Sequence, residues 1–146
     1  MFDIEFVDSE PELQDEGWLG LCGRITIGDY SERFIAPLGT WTRADYERQW
    51  IEAAGRLVTD HERTAFVTVL LQFWWTMWRE GDDVLVHEEM LIPERYPGPW
   101  DGSVPYRLIE DRVTESEEGE RMSEWRLRFG DIGDFMERRG SKYVPV

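Results

Sequence analysis

The sequence predicts an α+β domain: a largely antiparallel sheet, one main amphipathic helix packed on it, and a short C-terminal helix. Three observations carry this. Residues 64–78, "TAFVTVLLQFWWTMW", are rich in β-branched and aromatic side chains that alternate with period two. Residues 43–58, "RADYERQWIEAAGRLV", repeat their apolar members at helical spacing. The remaining strand-like runs follow one another across short turns, in the order β–ββ–α–ββ–ββ–α, which favours antiparallel pairing.

The elements follow in chain order. "GRITIGDYSERFIAPL" holds two short β runs about Gly28-Asp29, a hairpin turn signal, and Pro37 and Gly39 end the second. Thr42 is a fitting N-cap, and Asp45 suits the positive end of the helix behind it. That helix carries Tyr46, Trp50, Ala53, Ala54 and Leu57 on one stripe, with Arg43, Glu47, Arg48, Glu52 and Arg56 away from it. Residues 64–78 are expected as a single strand. Its apolar face is Ala65, Val67, Val69, Leu71, Phe73, Trp75 and Met77. Its mixed face is Thr64, Phe66, Thr68, Leu70, Gln72, Trp74, Thr76 and Trp78, expected beneath the helix with Trp74 and Trp78 partly exposed. "REGDD" turns the chain at Gly81 and "VLVHEEMLI" returns, making 64–92 one long hairpin. "PERYPGPWDGSVP" has four prolines in 13 residues and reads as a surface loop. "YRLIEDRV" and "MSEWRLRF" then read as paired strands joined by "TESEEGER". Ser123, Trp125, Leu127 and Phe129 alternate with charged residues in the second. "GDIGDFMERRGS" reads as the closing helix, with Asp131 at its start and Arg138 and Arg139 at its negative end.

Composition narrows the function classes. A chain of 146 residues is expected to be one domain, 1–146, long enough to bury a real core. Eight tryptophans and 41% hydrophobic residues argue against disorder. There are 31 Asp and Glu against 16 Lys and Arg, a net charge of −15. Such a surface repels phosphate backbones and anionic lipid heads, so neither direct nucleic-acid binding nor membrane binding is expected, and it attracts a basic partner. The single Cys22 allows no internal disulfide and fits a reducing cytoplasm. Seven acids and no Lys or Arg precede Gly17, the opposite of a targeting peptide. No apolar run reaches the ~18 residues of a membrane helix.

Catalytic patterns are thin. His61 lies in a loop, and His87 lies on a strand with Glu89 on the same face, a pairing that reads as base and orienter or as half of a metal site. HExxH, CxxC, GxSxG and P-loop motifs are absent from the sequence. No catalytic residue, metal or cofactor is expected. Adjacent carboxylates such as Glu88-Glu89 and Asp82-Asp83 read as solvated residues in a chain this acidic.

"GRITIGDYSERFIAPLGTWTRADYERQW", "FWWTMWREGDDVLVHEEMLI" and "ESEEGERMSEWRLRFGDIGDF" together carry a resemblance. The chain resembles the small cytoplasmic immunity proteins of contact-dependent growth inhibition systems over about residues 16–136. Residues 1–15 have no counterpart in that pattern, and the 93–107 loop is rich in Pro and Gly where those proteins are acidic and carry Phe. The resemblance implies binding rather than catalysis: a cytoplasmic antidote that holds the toxic C-terminal domain, often a nuclease, of a delivered effector. An acidic antidote complements a basic nuclease cleft. On that reading Ile25, Ile27, Trp41, Tyr46, Trp50, Trp74 and Trp75 are scaffold. The toxin contacts are expected in the turns and the loop, at Asp82, Asp83, Glu94, Tyr96, Trp100, Asp101, Glu115, Glu117 and Glu118. Two other classes stay open: a small enzyme or ligand-binding domain with a pocket near Trp78, His87 and Trp100, and a mimic whose carboxylates imitate phosphate spacing.

Overall fold

The computed structural model describes residues 1–59, 61–92, 94, 98 and 103–144. Strands β1 (Phe2–Phe6), β2 (Glu12–Leu13), β3 (Leu19–Ile27) and β4 (Tyr30–Pro37) form a first antiparallel sheet. β3 is its centre, with β4 along one side and β1 and β2 in tandem along the other. Helix α1 (Arg43–Thr59) follows. Strands β5 (Arg63–Val69), β6 (Phe73–Glu80), β7 (Asp83–Met90) and β8 (Trp125–Arg128) form a second antiparallel sheet in that order. A one-turn helix α2 (Val104–Arg107) lies between β7 and β8, and α3 (Phe129–Tyr143) closes the chain. The α+β class, the packed α1 and the C-terminal helix are as the sequence predicts.

The β3–β4 hairpin turns at Gly28-Asp29, as expected. Inside it, Gly23 is a packing requirement, since a Cβ there would lie 2.3 Å from the Phe34 ring. The α1 cap is also as read. Thr42 Oγ1 accepts from the Asp45 backbone N–H at 3.3 Å, and the Asp45 carboxylate accepts from the Thr42 backbone N–H at 2.8 Å.

Three expectations are overturned. First, residues 64–78 are two strands, not one. The chain reverses at Leu70-Leu71-Gln72, with Leu71 at φ +61° and the Gln72 N–H donating to the Val69 carbonyl at 2.9 Å. The register pairs Ala65 with Thr76, Phe66 with Trp75 and Val67 with Trp74. Paired residues share a face, so Ala65 and Val67 lie with Trp74, Thr76 and Trp78, while Trp75 and Met77 lie opposite with Phe66. The predicted apolar face is therefore divided between the two sides of the sheet. Second, residues 106–113 are not a strand. α2 takes their start, and β8 pairs with β7 instead. Third, Phe129 opens α3 rather than ending a strand.

Both faces of the second sheet are covered, which is why β5, β6 and β7 read as nearly continuous burial. Phe66, Trp75, Met77, Val84, Val86 and Leu127 face the first sheet and α3. Phe2 meets Phe66 at 5.1 Å between ring centroids, Tyr30 meets Trp125 at 4.9 Å, and Phe66 meets Phe135 at 6.2 Å. The other face, with Trp74, Trp78, Leu85 and His87, lies under the segment from α2 to β8. Trp74 and Trp78 are buried there, so the predicted mixed face is divided as well: Trp74, Thr76 and Trp78 sit beneath this segment, while Thr64 and Phe66 lie on the opposite side, where the Thr64 hydroxyl bonds the Ala53 carbonyl of α1.

Helix α1 instead seals the free edge of β5. The Gln49 amide donates to the Ala65 carbonyl at 2.8 Å and accepts from the Val67 N–H at 2.9 Å, completing the ladder as a neighbouring strand would. The Trp50 indole N–H donates to the Val67 carbonyl at 2.7 Å. α3 does the same for β1: Arg138 donates to the Phe2 carbonyl at 2.6 Å and Tyr143 to the Ile4 carbonyl at 2.8 Å. The first 15 residues, for which the sequence pattern offers no counterpart, thus include a core strand, with Phe2 and Ile4 fully buried.

Candidate functional site

The expected contact residues occupy three places. Asp82 sits exposed at the tip of the tight β6–β7 turn, where Gly81 takes φ +64° and the Asp82 carbonyl accepts from the Phe129 N–H at 2.7 Å. Asp83 is half-buried and lies 3.7 Å from Arg128 and 3.9 Å from Arg126, so its charge is partly met within the chain. Glu115, Glu117 and Glu118 stand exposed on a small hairpin between α2 and β8. It is closed by a Glu115–Arg121 bridge and by the Ser116 N–H donating to the Glu120 carbonyl at 2.7 Å. Glu94 is exposed. Tyr96, Trp100 and Asp101 lie outside the described residues. Of the scaffold residues, Ile25, Ile27, Tyr46, Trp50, Trp74 and Trp75 are buried and Trp41 is half-buried against Tyr46.

A charged chain links two of these places. Arg112 grips Glu124 with two hydrogen bonds, at 2.7 and 2.9 Å, and reaches Glu80 at 3.4 Å. Glu124 also meets His87 Nε2 at 2.8 Å. The hydrogen bonds from Arg112 and then from His87 outweigh burial and hold the Glu124 carboxyl down at about 2. Glu124 is therefore an anion at neutral pH and only accepts, which makes His87 Nε2 the donor. The sequence pairs His87 with Glu89; the ring's hydrogen-bond partner is Glu124. Neither Glu124 nor Arg112 could be found from sequence spacing, because both lie on the far side of a long connection and reach back across it.

Trp78 and His87, two of the three residues of the ligand-pocket alternative, share one cavity; the third, Trp100, lies outside the described residues. Their rings meet edge to face at 4.8 Å, and the Trp78 indole N–H donates to the Glu110 carbonyl at 2.9 Å. The cavity holds about 160 Å³, and its walls include Trp74, Trp78, His87, Glu89, Glu110 and Met122. Burial pushes the Glu89 carboxyl up, His87 draws it down, and nearby Glu110 pushes it up again. His87 Nδ1 is buried and meets no hydrogen-bond partner among the described residues. Among the described residues no nucleophile sits against this imidazole within hydrogen-bond reach. Among the described residues no three His, Cys, Asp or Glu side chains are spaced to hold a metal ion, and no helix is long and apolar enough to cross a membrane.

Comparison with known proteins finds relatives of this chain. A family model described as the CdiI N-terminal domain matches residues 36–135. The chain is similar to the immunity protein CdiI of Enterobacter cloacae subsp. cloacae, 28% identical over 142 residues that cover 92% of this chain and 96% of that protein. It is also similar to a chain of the solved CdiA-CT/CdiI toxin and immunity complex from Enterobacter cloacae. The match has TM-score 0.84 and 26% identity, and covers 97% of this chain and 99% of that one.

Proposed function

Because the chain belongs to the CdiI N-terminal domain family, we propose that it is an immunity protein, which binds the toxic C-terminal domain of its own effector and neutralises it without catalysis. The observation that carries the reading is the near full-length match, in sequence and in fold, to an immunity protein and to a chain of a toxin and immunity complex. The toxin domain presents a basic surface and is a nuclease. The net charge of −15 supports this, since a nucleic-acid cleft is basic and an acidic partner speeds encounter with it. The same charge speaks against direct contact with nucleic acid or membrane. The protein works in the cytoplasm, as one domain and without a cofactor.

Contact is made by the acid-bearing turns, through Asp82, Glu115, Glu117 and Glu118, with Glu94, Tyr96, Trp100 and Asp101 from the intervening loop. Arg112 favours a common face, because it joins Glu80 beside the first turn to Glu124 beyond the second. The test is binding to the toxin domain encoded beside this gene, by surface plasmon resonance at low and high salt. Tight binding whose association rate falls with salt is expected. Glu117→Gln mainly slows association, and Trp100→Ala mainly speeds dissociation, by about 2 kcal/mol or more. No binding to that domain would remove the reading. Salt-independent binding that survives both changes would move the contact face elsewhere.

A further inference from the structure

The cavity between the second sheet and the α2–β8 segment offers acceptors. The Nε2 of His87 is committed to Glu124 as a donor. In the neutral ring this leaves Nδ1 as a bare lone pair, and that atom is buried without a partner in a side chain only 1% exposed. Glu89 and Glu110 add two carboxylates that repel each other. The third acid at the wall, Asp111, is already bonded to Arg63. No arginine or lysine among the described residues pairs with Glu89 or Glu110. The Trp78 indole N–H, a donor that would otherwise compete, is spent on the Glu110 carbonyl. The site therefore presents two uncompensated carboxylates between aromatic walls that include the buried His87, with the exposed side chains of Met90 and Val113 as an apolar lip.

Two carboxylates without a cation favour a positively charged guest rich in N–H groups. A metal ion is a poor guest, because its ligands do not converge here. A guanidinium is a good one: planar, always charged, five donors in a fixed fork, and able to stack on indole faces.

We infer that this cavity takes the tip of an arginine side chain presented by the basic surface of the toxin domain. The inference rests on the proposed function and adds a specific anchor to it. The exposed turn carboxylates steer the approach, and the arginine in the pocket fixes the register. A guanidinium there is held by the half-buried Glu89, so its loss appears in the dissociation rate, whereas loss of a rim charge appears in the association rate.

Two measurements test it separately from the function. The first uses the protein alone. His87 is ¹⁵N-labelled and its Nδ1 resonance is followed while methylguanidinium chloride is added, with methylurea as the neutral control of the same shape. Nδ1 is expected to shift with methylguanidinium and not with methylurea, and Glu89→Gln is expected to weaken that response several-fold. Glu110→Gln, at an exposed position, serves as the second variant should Glu89→Gln fold poorly. No shift at concentrations on the order of 10 mM, beyond the range of a weak fragment, overturns the inference. The second uses the toxin domain. Glu89→Gln is expected to bind it at least tenfold more weakly, through faster dissociation. Equal affinity of the variant and the wild type overturns the arginine pocket and leaves the proposed function standing. A wild-type protein that does not bind the toxin overturns the function itself, and the pocket assignment falls with it.

Discussion

The molecule has two sheet edges that helices seal, and they are sealed by different chemistry. At β5 the sealing groups are neutral: the Gln49 amide, the Trp50 indole and the Thr64 hydroxyl, which donates to the Ala53 carbonyl at 2.8 Å. At β1 the neutral Tyr143 hydroxyl on the Ile4 carbonyl is joined by charged groups: Arg138 on the Phe2 carbonyl, and Arg139 gripping the side chains of Asp3 at 3.0 and 2.7 Å and of Glu5 at 3.1 Å. Both solutions satisfy backbone groups that would otherwise stand open to pairing with another chain. The difference has consequences. A neutral amide bond keeps its strength across pH and salt. A guanidinium–carboxylate cluster depends on both, and losing one partner strands a charge. The edge formed within the chain's first half is thus insensitive to solution conditions, while the edge that joins the two chain ends is conditional.

The largest expected effect comes from the neutral edge. Trp50→Ala removes a fully buried ring together with the bond to Val67, and should cost about 3–5 kcal/mol. In a chain of this size that lowers the melting midpoint by roughly 10 °C. A shift of only a degree or two would mean that α1 does not hold the β5 edge.

Next come two matched changes. Gln49→Met leaves the Ala65 carbonyl and the Val67 N–H unpaired, and Arg139→Met leaves the buried Asp3 with Arg138 at 3.2 Å as its remaining cation. Each should cost about 1–3 kcal/mol. The comparison is sharpened by salt. Melts in low and high salt should show an unchanged penalty for Gln49→Met and a smaller one for Arg139→Met. Equal salt response in the two would end the distinction drawn between the edges.

The smallest effect is on the acid limb. Burial pushes the Asp3 carboxyl up, but the bonds from Arg139 and the charges of Arg139 and Arg138 outweigh it and hold the group below 3.8. A depressed carboxyl stabilises the fold fully above its ordinary value and ceases to as pH falls through the lower, folded value. Glu5 moves the other way, raised by its hydrogen bond to Asp3 and by burial, so its ionised form costs stability at higher pH and opposes the Asp3 slope there. The Asp3 loss should therefore emerge below about pH 3.8, confined to β1 and α3. Asp3→Asn should flatten the melting midpoint in that range and leave β5 amide protection untouched. An acid limb identical in the variant would assign it to other groups, with Glu124 and its window from 4.5 down to about 2 the first to examine.

Much of this architecture was legible in the residues, and the exceptions are instructive. The β3–β4 hairpin announces itself because Gly28 supplies a positive φ in a familiar dipeptide. The α1 helix announces itself by cap and stripe. The reversal at Leu70-Leu71-Gln72 does not, because a leucine holds the left-handed position that glycine or asparagine usually marks. One hidden turn was enough to put Ala65 and Trp75, expected on one face, on opposite faces of the sheet. The strand expected at 106–113 failed because alternation over a few residues also describes a helical turn followed by a covering segment. In the pocket, Trp78 and His87 could be placed on one face by register once the hairpin was seen, since His87 pairs with Thr76 and Leu85 with Trp78, whereas Glu110, Arg112 and Glu124 come from a connection whose path no local pattern encodes.

What the sequence determined by itself is the inventory: the α+β class, the cap and stripe of α1, the acidic surface, and the family that its motifs resemble. These follow from local periodicity and composition, which each segment carries wherever it lies. Only the tertiary structure decided which groups meet: Gln49 on the β5 edge, Arg139 on Asp3 across 136 residues, and His87 on a carboxylate 37 residues away. The physical reason is that hydrogen bonds and ion pairs act over a few ångströms, so their partners are fixed by the path of the whole chain and by nothing in the neighbouring sequence.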